Sequence, residues 1–429
     1  MKQTNAKSEF TLEIESLAYG PYGIGRVDHQ VVMIPATVPG DRVSARVTEA
    51  KGNYALGEMV RLLEPSPLRQ TPPCSYVNEC GGCPWQQVQY QAQLKAKQQS
   101  VADALRRIGK LDGFELRPII PSRGEYHYRR RIRLQCNQLK RLGFFRPGSH
   151  QLVEIDACLI ADEALNPVIE SLRRWIGVLV SDLEYVEIVK GDLPNEIVVV
   201  GKSRQEFIPR DVSACEGLLE PTLGISGLVL CGRNWRRAWG QTMISVLTEE
   251  SLCLKIDAEV FTQINADGNR RIVSELLAAG EFANNDRVLE LYSGAGNFAL
   301  STAKRVFKVV AVEGHSASIA SGKRSAQFNG ITNIRWVCAP VPAALERLAK
   351  QRESFSRIIL DPPRAGAKGI DRSLASFGAE KILYVSCNPA TLARDLAALA
   401  RHGYKLTLVQ PIDLFPHTFH VETLAVMVR

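Results

Sequence analysis

Cys387 is the residue of this sequence whose position best suits covalent chemistry. It follows the apolar run 381–385, in the turn Ser386-Cys387-Asn388-Pro389. A short β-rich run closed by a turn predicts a buried strand of a parallel sheet, and such sheets place their chemistry at the carboxyl ends of the strands. A lone cysteine can also be an inert core residue. The nucleophile is favoured because further polar motifs lie in the same half of the chain, at 290–298, 361–364 and 420–422.

A nucleoside cofactor is indicated by the ends of two neighbouring predicted strands. The first ends in the turn 292–297, Tyr-Ser-Gly-Ala-Gly-Asn, whose glycines let the backbone approach a nucleoside. Such a pattern can also be only a tight strand-to-helix turn. The second strand ends at Glu313, and an acid at this place accepts hydrogen bonds from ribose hydroxyls. Because nothing resembles the third glycine of a dinucleotide site, S-adenosylmethionine is favoured over NAD.

The sheet that positions these side chains is predicted from residues 255–429. Short apolar runs alternate there with mostly helical stretches, which is typical of a parallel sheet covered on both faces. We predict an α/β catalytic domain with the class I, Rossmann-like fold of S-adenosylmethionine-dependent methyltransferases. Its strands are expected at 286–292, 308–313, 334–338, 357–361, 381–387, 404–409 and 423–428.

Three cysteines lie within ten residues in the pattern Cys-x5-Cys-Gly-Gly-Cys, at Cys74, Cys80 and Cys83. This spacing indicates three thiolate ligands that await a fourth, with two glycines that allow the backbone to fold tightly. Structural zinc sites usually repeat a Cys-x2-Cys pair, and the sequence has no second pair. An iron–sulfur site is therefore favoured over zinc.

Residues 9–67 alternate short apolar strands with Gly and Pro turns. About five strands at this spacing predict a small closed barrel, because closure removes the exposed edges of short antiparallel strands. Such a barrel can bind RNA or serve only as a structural appendage. We divide the chain into an N-terminal barrel at 1–67, a central α+β domain at 68–254 and the catalytic domain at 255–429.

The central domain carries a concentration of positive charge. Residues 121–150 hold eight Lys and Arg residues against one Glu, a net charge of +7, while the whole chain has +8. A strand period over 124–136 puts Arg131 and Arg133 on one face, which is well suited to phosphates. This predicts a polyanion partner, although a solvated face is the ordinary reason for a basic run.

Length and composition bound the remaining possibilities. A chain of 429 residues is too long for one core, and 45% hydrophobic residues suffice for two or three domains. No apolar run approaches the roughly 20 residues that span a bilayer, and the polar start at 1–5 has no hydrophobic signal segment. We expect a cytoplasmic protein. Its ten cysteines are then more readily ligands, nucleophiles or core residues than disulfides.

Together these motifs resemble the RNA uridine-5-methyltransferase family. In the catalytic half, the resemblance lies in four segments, at 261–265, 361–364, 386–389 and 415–422. The barrel resembles a TRAM domain, an OB-like RNA-binding module, through its turns at 20–26 and 39–43. The three clustered cysteines, followed by Cys158, resemble the iron–sulfur site of the bacterial 23S rRNA branch. The tRNA branch is similar only in the catalytic half.

The resemblance implies a role for each matching residue. Cys387 would be the nucleophile and Glu422 the base. The methyl donor S-adenosylmethionine would be contacted by Gln263, Tyr292, Asn297, Glu313 and Asp361. A [4Fe-4S] cluster would be bound by Cys74, Cys80, Cys83 and Cys158, as a structural staple beside an RNA-contacting surface. The implied partner is 23S rRNA, with no membrane and no obligate protein partner, so that the protein acts as a monomer.

One position departs from the family pattern. Where the family usually has Asp or Asn after the third strand, near the adenine amino group, this chain reads Val-Cys-Ala-Pro at 337–340. The contact is then expected from the backbone. Nor does a cysteine directly follow the fourth-strand Pro362, as in the cytosine-5 RNA enzymes, so Cys387 is the cysteine left as nucleophile.

The chemistry explains the residue types. Carbon 5 of uracil is a poor nucleophile, so a thiolate must first add to carbon 6. After methyl transfer, a carboxylate must remove the carbon-5 proton before the thiol can leave. The uridine must also be out of any stack. Two other classes remain open: a radical enzyme with a TRAM domain, whose clusters use a different cysteine spacing, and a non-catalytic RNA-binding protein, which needs neither Cys387 nor Glu422. A tRNA substrate, a different rRNA uridine or two rRNA uridines are also possible.

Overall fold

The N-terminal strands close into a barrel in the computed structural model, which describes residues 9–248 and 252–429. β1 pairs with both β2 and β4, so the sheet has no free edge, as the sequence predicted. Alternate residues such as Leu12 and Ile14 point inward and are buried. The strands are β1 (Phe10–Leu17), β2 (Tyr22–Val27), β3 (Gln30–Pro35), β4 (Arg42–Lys51) and β5 (Tyr54–Glu64).

The segment after the barrel packs on the catalytic half. It contains α1 (Tyr90–Asp103), which continues through the π-helical turn Ala104–Ile108, and the short strand β6 (Glu115–Leu116). β6 pairs in parallel with the distant strand β21 (Lys405–Ile412). The stretch assigned to the central domain thus contributes an edge strand to the catalytic sheet.

A second sheet forms the centre of the protein, with the order β13-β12-β11-β10-β7-β8-β9 within the described residues. Helices α2 (Asn166–Val178) and α3 (Val212–Gly217) pack against one face through residues such as Leu172 and Cys215. The strands are β7 (Arg131–Cys136), β8 (Leu142–Phe145), β9 (Leu152–Glu154), β10 (Leu183–Lys190), β11 (Ile197–Ser203), β12 (Gly227–Cys231) and β13 (Arg236–Gly240). The hairpin of β14 (Met243–Leu247) and β15 (Cys253–Asp257) packs on the other face.

The catalytic sheet has the order β18-β17-β16-β19-β20-β22-β21-β6 among the described residues. All neighbours from β18 to β20 are parallel, whereas β22 is antiparallel to both β20 and β21. The seven predicted strands are all present, with ends that differ by at most a few residues. They are β16 (Arg287–Leu291), β17 (Lys308–Glu313), β18 (Ile334–Cys338), β19 (Arg357–Leu360), β20 (Lys381–Ser386), β21 (Lys405–Ile412) and β22 (Glu422–Val428).

Helices cover both faces of this sheet, as expected for buried parallel strands. On one face, Leu345 of α7 and Leu396 of α9 pack into the core between helices and sheet. On the other face, Leu276 of α4 does the same. The helices are α4 (Ala266–Gly280), α5 (Ala299–Ala303), α6 (Ser316–Phe328), α7 (Val341–Lys350), α8 (Asp371–Ser376) and α9 (Pro389–Ala400). In the ranges that the structure describes, no helix is long and apolar enough to cross a membrane.

Candidate active site

Cys387 and Glu422 lie at the same edge of the catalytic sheet. Cys387 directly follows β20, and Glu422 is the first residue of β22. Since these strands are antiparallel, with Ser386 opposite Thr423, the end of one meets the start of the other. Cys387 is partly exposed and Glu422 is buried. The fold therefore brings to one edge a thiol and a carboxyl group that are 35 positions apart in the sequence.

Burial and the neighbouring charges raise the pKa of both groups. Burial raises the pKa of Cys387 to about 11, the charge of Glu422 adds to the shift, and Arg364 counteracts it. Burial also raises the pKa of Glu422 well above its usual range, with a further contribution from Asp361. Once ionised, a carboxylate with a raised pKa is a stronger base than that of an ordinary Glu. Arg364 is the positive charge that acts on both groups, and its guanidinium lies 3.4 Å from His420 Nε2.

The residues predicted to contact a nucleoside lie beside this pair, along three adjacent strands. Tyr292 follows β16, Glu313 ends β17 and Asp361 follows β19. These three strands are neighbours in the sheet. Asp361 is only partly exposed, and its burial raises its pKa to about 7. Side chains at the carboxyl ends of adjacent parallel strands converge at one edge. The sheet therefore brings these three predicted residues to the same edge as Cys387.

The turn after β16 has the backbone shape that an approaching ligand needs. Tyr292, Gly294 and Gly296 all have positive φ angles, of 60°, 53° and 87°. A Cβ atom on Gly294 would meet no other atom within 4 Å, so there is space beside this peptide. The N–H of Gly294 donates to Glu313 Oε2 at 3.0 Å, and the N–H of His315 donates to Oε1 at 2.8 Å. Each carboxylate oxygen keeps a further lone pair for a ligand hydroxyl.

Two other predicted contacts are fixed by hydrogen bonds. The side chains of Asn297 and Asn269 exchange two hydrogen bonds of 2.9 and 2.8 Å, which fix the orientation of both amides. Gln263 precedes α4, and its carbonyl oxygen accepts a hydrogen bond from the buried Arg130 at 2.9 Å. Sequence reasoning missed Asn269 and Arg130, since neither belongs to a motif.

The departure after β18 leaves no carboxylate or amide side chain at 337–340 for the adenine contact. The N–H of Ala339 already donates to the carbonyl of Glu313 at 3.0 Å, while the Cys338 side chain is exposed at the strand end. That N–H could not serve the adenine amino group in any case, because an amino group is itself a donor and needs an acceptor such as a backbone carbonyl.

The four cysteines predicted as ligands surround one cavity of about 290 Å³, lined also by Arg129. Cys158 reaches it from the segment after β9, far in sequence from Cys74, Cys80 and Cys83. Burial raises the pKa of Cys83 to about 12, and the neighbouring Cys158 adds to the shift. Among residues 9–248 and 252–429, no three His, Cys, Asp or Glu side chains stand close enough to bind one metal ion. Thiols spread around a cavity suit a polynuclear group better than a single ion.

The predicted phosphate-binding role of Arg131 is wrong. Its guanidinium donates to the backbone carbonyls of Ala258 and Val260, the latter at 2.8 Å, and lies 3.6 Å from Glu187. Arg133 is half exposed, but it also pairs with Glu187, at 2.8 Å. The segment after the β14–β15 hairpin lies against Arg131, so the positive charge of this side chain serves internal contacts.

Comparisons with known proteins agree with this architecture. Residues 241–429 match the family described as tRNA (Uracil-5-)-methyltransferase, and residues 3–60 match the TRAM domain. The chain is 31% identical to the 23S rRNA (uracil(1939)-C(5))-methyltransferase RlmD of Aliivibrio fischeri, over 98% of this chain and 96% of that protein. It is 30% identical to the protein of the same name from Haemophilus parainfluenzae, over 100% and 98%.

A solved structure covers the whole architecture. The tRNA (uracil-54, C5)-methyltransferase of Pyrococcus abyssi, in complex with S-adenosyl-L-homocysteine, matches with a TM-score of 0.77 and 25% identity. The match covers 97% of this chain and 99% of that one.

The sheet order and these matches define an S-adenosylmethionine-dependent methyltransferase that acts on RNA. Within this class, the chain belongs to the RNA (uracil-5-)-methyltransferase family.

Proposed function

We propose that the protein methylates carbon 5 of a uridine in 23S rRNA, with S-adenosylmethionine as the methyl donor. The observation that carries the proposal is the meeting of Cys387 and Glu422 at the sheet edge, beside the turn after β16. The substrate is supported by the names of the two full-length relatives. Identity near 30% does not select among uridines, so one rRNA site, two sites or a tRNA site are outcomes of the test below.

In this proposal, the Cys387 thiolate adds to carbon 6 of uracil, and the ring electrons move toward carbon 5 and oxygen 4. Carbon 5 then takes the methyl group from the sulfonium, and S-adenosylhomocysteine leaves. Glu422 removes the carbon-5 proton, the double bond re-forms, and the thiolate is expelled. Arg364 supports the first step, because its charge favours the thiolate of Cys387.

The cofactor is held at the ends of β16, β17 and β19. Glu313 would accept hydrogen bonds from the ribose hydroxyls, since both its oxygens are fixed but keep a free lone pair. Gln263, Tyr292, Asn297 and Asp361 would line the rest of the site. The open space beside Gly294 supports this placement, because the backbone there can be approached closely.

We further propose that Cys74, Cys80, Cys83 and Cys158 bind a [4Fe-4S] cluster in the cysteine cavity. The cavity has the required soft donors, and Arg129 in its wall would offset part of the negative charge of the thiolates. When bound, the cluster would supply a cross-link between the loop at 74–83 and the segment at Cys158, with no redox role required. We also propose that the protein acts as a monomer, in the cytoplasm where rRNA is made.

A methylation assay tests the proposal. Purified protein with labelled S-adenosylmethionine should label 23S rRNA, and the product should be 5-methyluridine by mass spectrometry. Mapping rRNA and tRNA from a strain that lacks the protein identifies the site. If tRNA were labelled instead, the substrate would be tRNA and not 23S rRNA. If no RNA were labelled, a non-catalytic RNA-binding protein would be favoured.

Two variants separate the chemical steps. Cys387→Ala should bind RNA and form no covalent adduct, whereas Glu422→Gln should stall as a methylated protein–RNA adduct that survives denaturing electrophoresis. Cys253→Ala removes a half-buried thiol at the start of β15, outside the proposed site, and should retain the wild-type rate. Full turnover by Glu422→Gln, or activity in Cys387→Ala, would contradict these roles.

A further inference from the structure

The barrel contributes a side chain to the active site. Tyr19 lies in the turn between β1 and β2, and its hydroxyl donates a hydrogen bond of 2.7 Å to the carbonyl oxygen of Cys387. The two residues are 368 positions apart in the chain. The acceptor is the backbone of the nucleophile itself, so this contact bears directly on how the thiol is presented.

The ring of Tyr19 makes a second contact on the other side of the site. It packs edge to face on Phe419, with centroids 5.5 Å apart and an interplanar angle of 78°. Phe419 lies three residues before Glu422, in the segment that leads into β22. An edge-to-face pair has a preferred geometry. One side chain therefore touches both the end of the nucleophile strand and the approach to the base strand.

The turn that carries Tyr19 is itself anchored to the catalytic half. The indole N–H of the buried Trp85 donates to the carbonyl of Gly20 at 3.2 Å. The backbone N–H of Trp85 donates to the carbonyl of His417 at 3.0 Å. Trp85 thus joins the turn of the barrel to the segment that contains Phe419, and the position of Tyr19 does not depend on its own two contacts alone.

The hydroxyl acts as a donor and not as a base. Burial raises the pKa of Tyr19, and the charges of Cys387 and Glu422 raise it further. A phenol with a raised pKa keeps its proton at neutral pH. Its proton is therefore available for the hydrogen bond to the Cys387 carbonyl throughout the working range.

We propose that Tyr19 is a positioning residue for the methyl-transfer reaction, which fixes the Cys387 peptide through its hydroxyl and the Phe419 segment through its ring. The inference rests on the proposed function, because it concerns the geometry between the nucleophile and the base. It gives the barrel a part in the chemical step, beyond holding RNA.

Tyr19→Phe is the sharpest test, since it removes only the hydroxyl and keeps the ring on Phe419. Loss of one partly buried hydrogen bond should lower kcat by about tenfold and leave KM for RNA and for S-adenosylmethionine within about twofold. In the Glu422→Gln background, the rate of adduct formation should fall by the same factor. Tyr19→Ala should be slower still. Tyr54→Phe removes a hydroxyl elsewhere on the barrel and should leave kcat unchanged.

A readout that does not need activity separates this proposal from the proposed function. Hydrogen–deuterium exchange should accelerate at 386–389 in Tyr19→Phe, with Tm unchanged within about 2 °C. If the wild-type protein methylates no RNA, the proposed function is wrong. The exchange experiment would still test whether the Tyr19 hydroxyl holds the Cys387 peptide. An unchanged kcat, a rise in KM alone or a general loss of Tm would each overturn the positioning role of Tyr19.

Discussion

The ammonium group of Lys97 lies 2.7 Å from Asp413 Oδ1, and both side chains are fully buried. Lys97 also donates to the carbonyl of Phe415 at 2.9 Å, and Tyr90 donates to the other oxygen of Asp413 at 3.0 Å. One helix turn away, Gln93 accepts a hydrogen bond of 2.8 Å from the N–H of His417. Through these contacts, α1 fixes the segment 413–417 that leads toward Glu422.

Removing Lys97 should therefore destabilise the protein. In Lys97→Met the carboxylate of Asp413 loses its buried counter-charge, and breaking such a pair costs about 3–5 kcal/mol. Urea denaturation measures the change. Lys95→Met, two residues away on the exposed side of α1, should change the free energy of unfolding by less than about 0.5 kcal/mol. If Lys97→Met changed the free energy of unfolding as little as Lys95→Met, the buried pair would not have the stabilising role expected of it.

The pH dependence of Cys387 reactivity follows from its raised pKa. Below a pKa of about 11 the thiol is mostly protonated in the free enzyme, so the thiolate fraction rises with pH. Alkylation of Cys387 by iodoacetamide should accelerate roughly tenfold per unit between pH 7 and pH 9, with no plateau. Mass spectrometry of the digested protein follows this peptide separately from exposed Cys338. A rate that levels off near pH 7 would mean that the thiolate already predominates there.

The cysteine cavity should hold iron. Anaerobically purified protein should be brown, and Cys80→Ser should lose visible absorbance because a thiolate ligand is removed. Cys338→Ser, which changes an exposed cysteine away from the cavity, should keep the colour and the iron content. Stoichiometric zinc without iron would contradict the cluster.

Arg131→Ala should impair cofactor binding more than RNA binding. The guanidinium fixes the carbonyls of Ala258 and Val260, just before Gln263, so its loss should loosen that part of the cofactor site. We expect the Kd for S-adenosylhomocysteine, by calorimetry, to rise several-fold, while the salt dependence of RNA binding stays unchanged. Arg133→Ala, half exposed on the same face, should leave this Kd unaltered. If RNA binding by Arg131→Ala depended less on salt than RNA binding by the wild type, the result would support a phosphate contact of Arg131 instead.

The order of elements and the candidate chemistry could be predicted from the sequence because both depend on local patterns. The run before Cys387 contains Ile-Leu-Tyr-Val at 382–385, and a short β-rich run of this kind closed by a turn predicts a buried strand. The acid that ends β17 follows from the same reasoning, since each strand of a parallel sheet presents its carboxyl end to one edge. The alternation at 9–67 likewise predicted the closed barrel.

The partners of single side chains were decided only by the tertiary structure. Gln93 and Lys97 belong to a helix face that reads as polar and solvated, yet both are buried against a segment more than 300 residues away. Arg131 was expected to face a polyanion and instead binds backbone carbonyls. Tyr19 belongs to no catalytic motif and reaches Cys387 from another domain. Periodicity determines which face of an element a side chain occupies, but what covers that face depends on how distant elements pack.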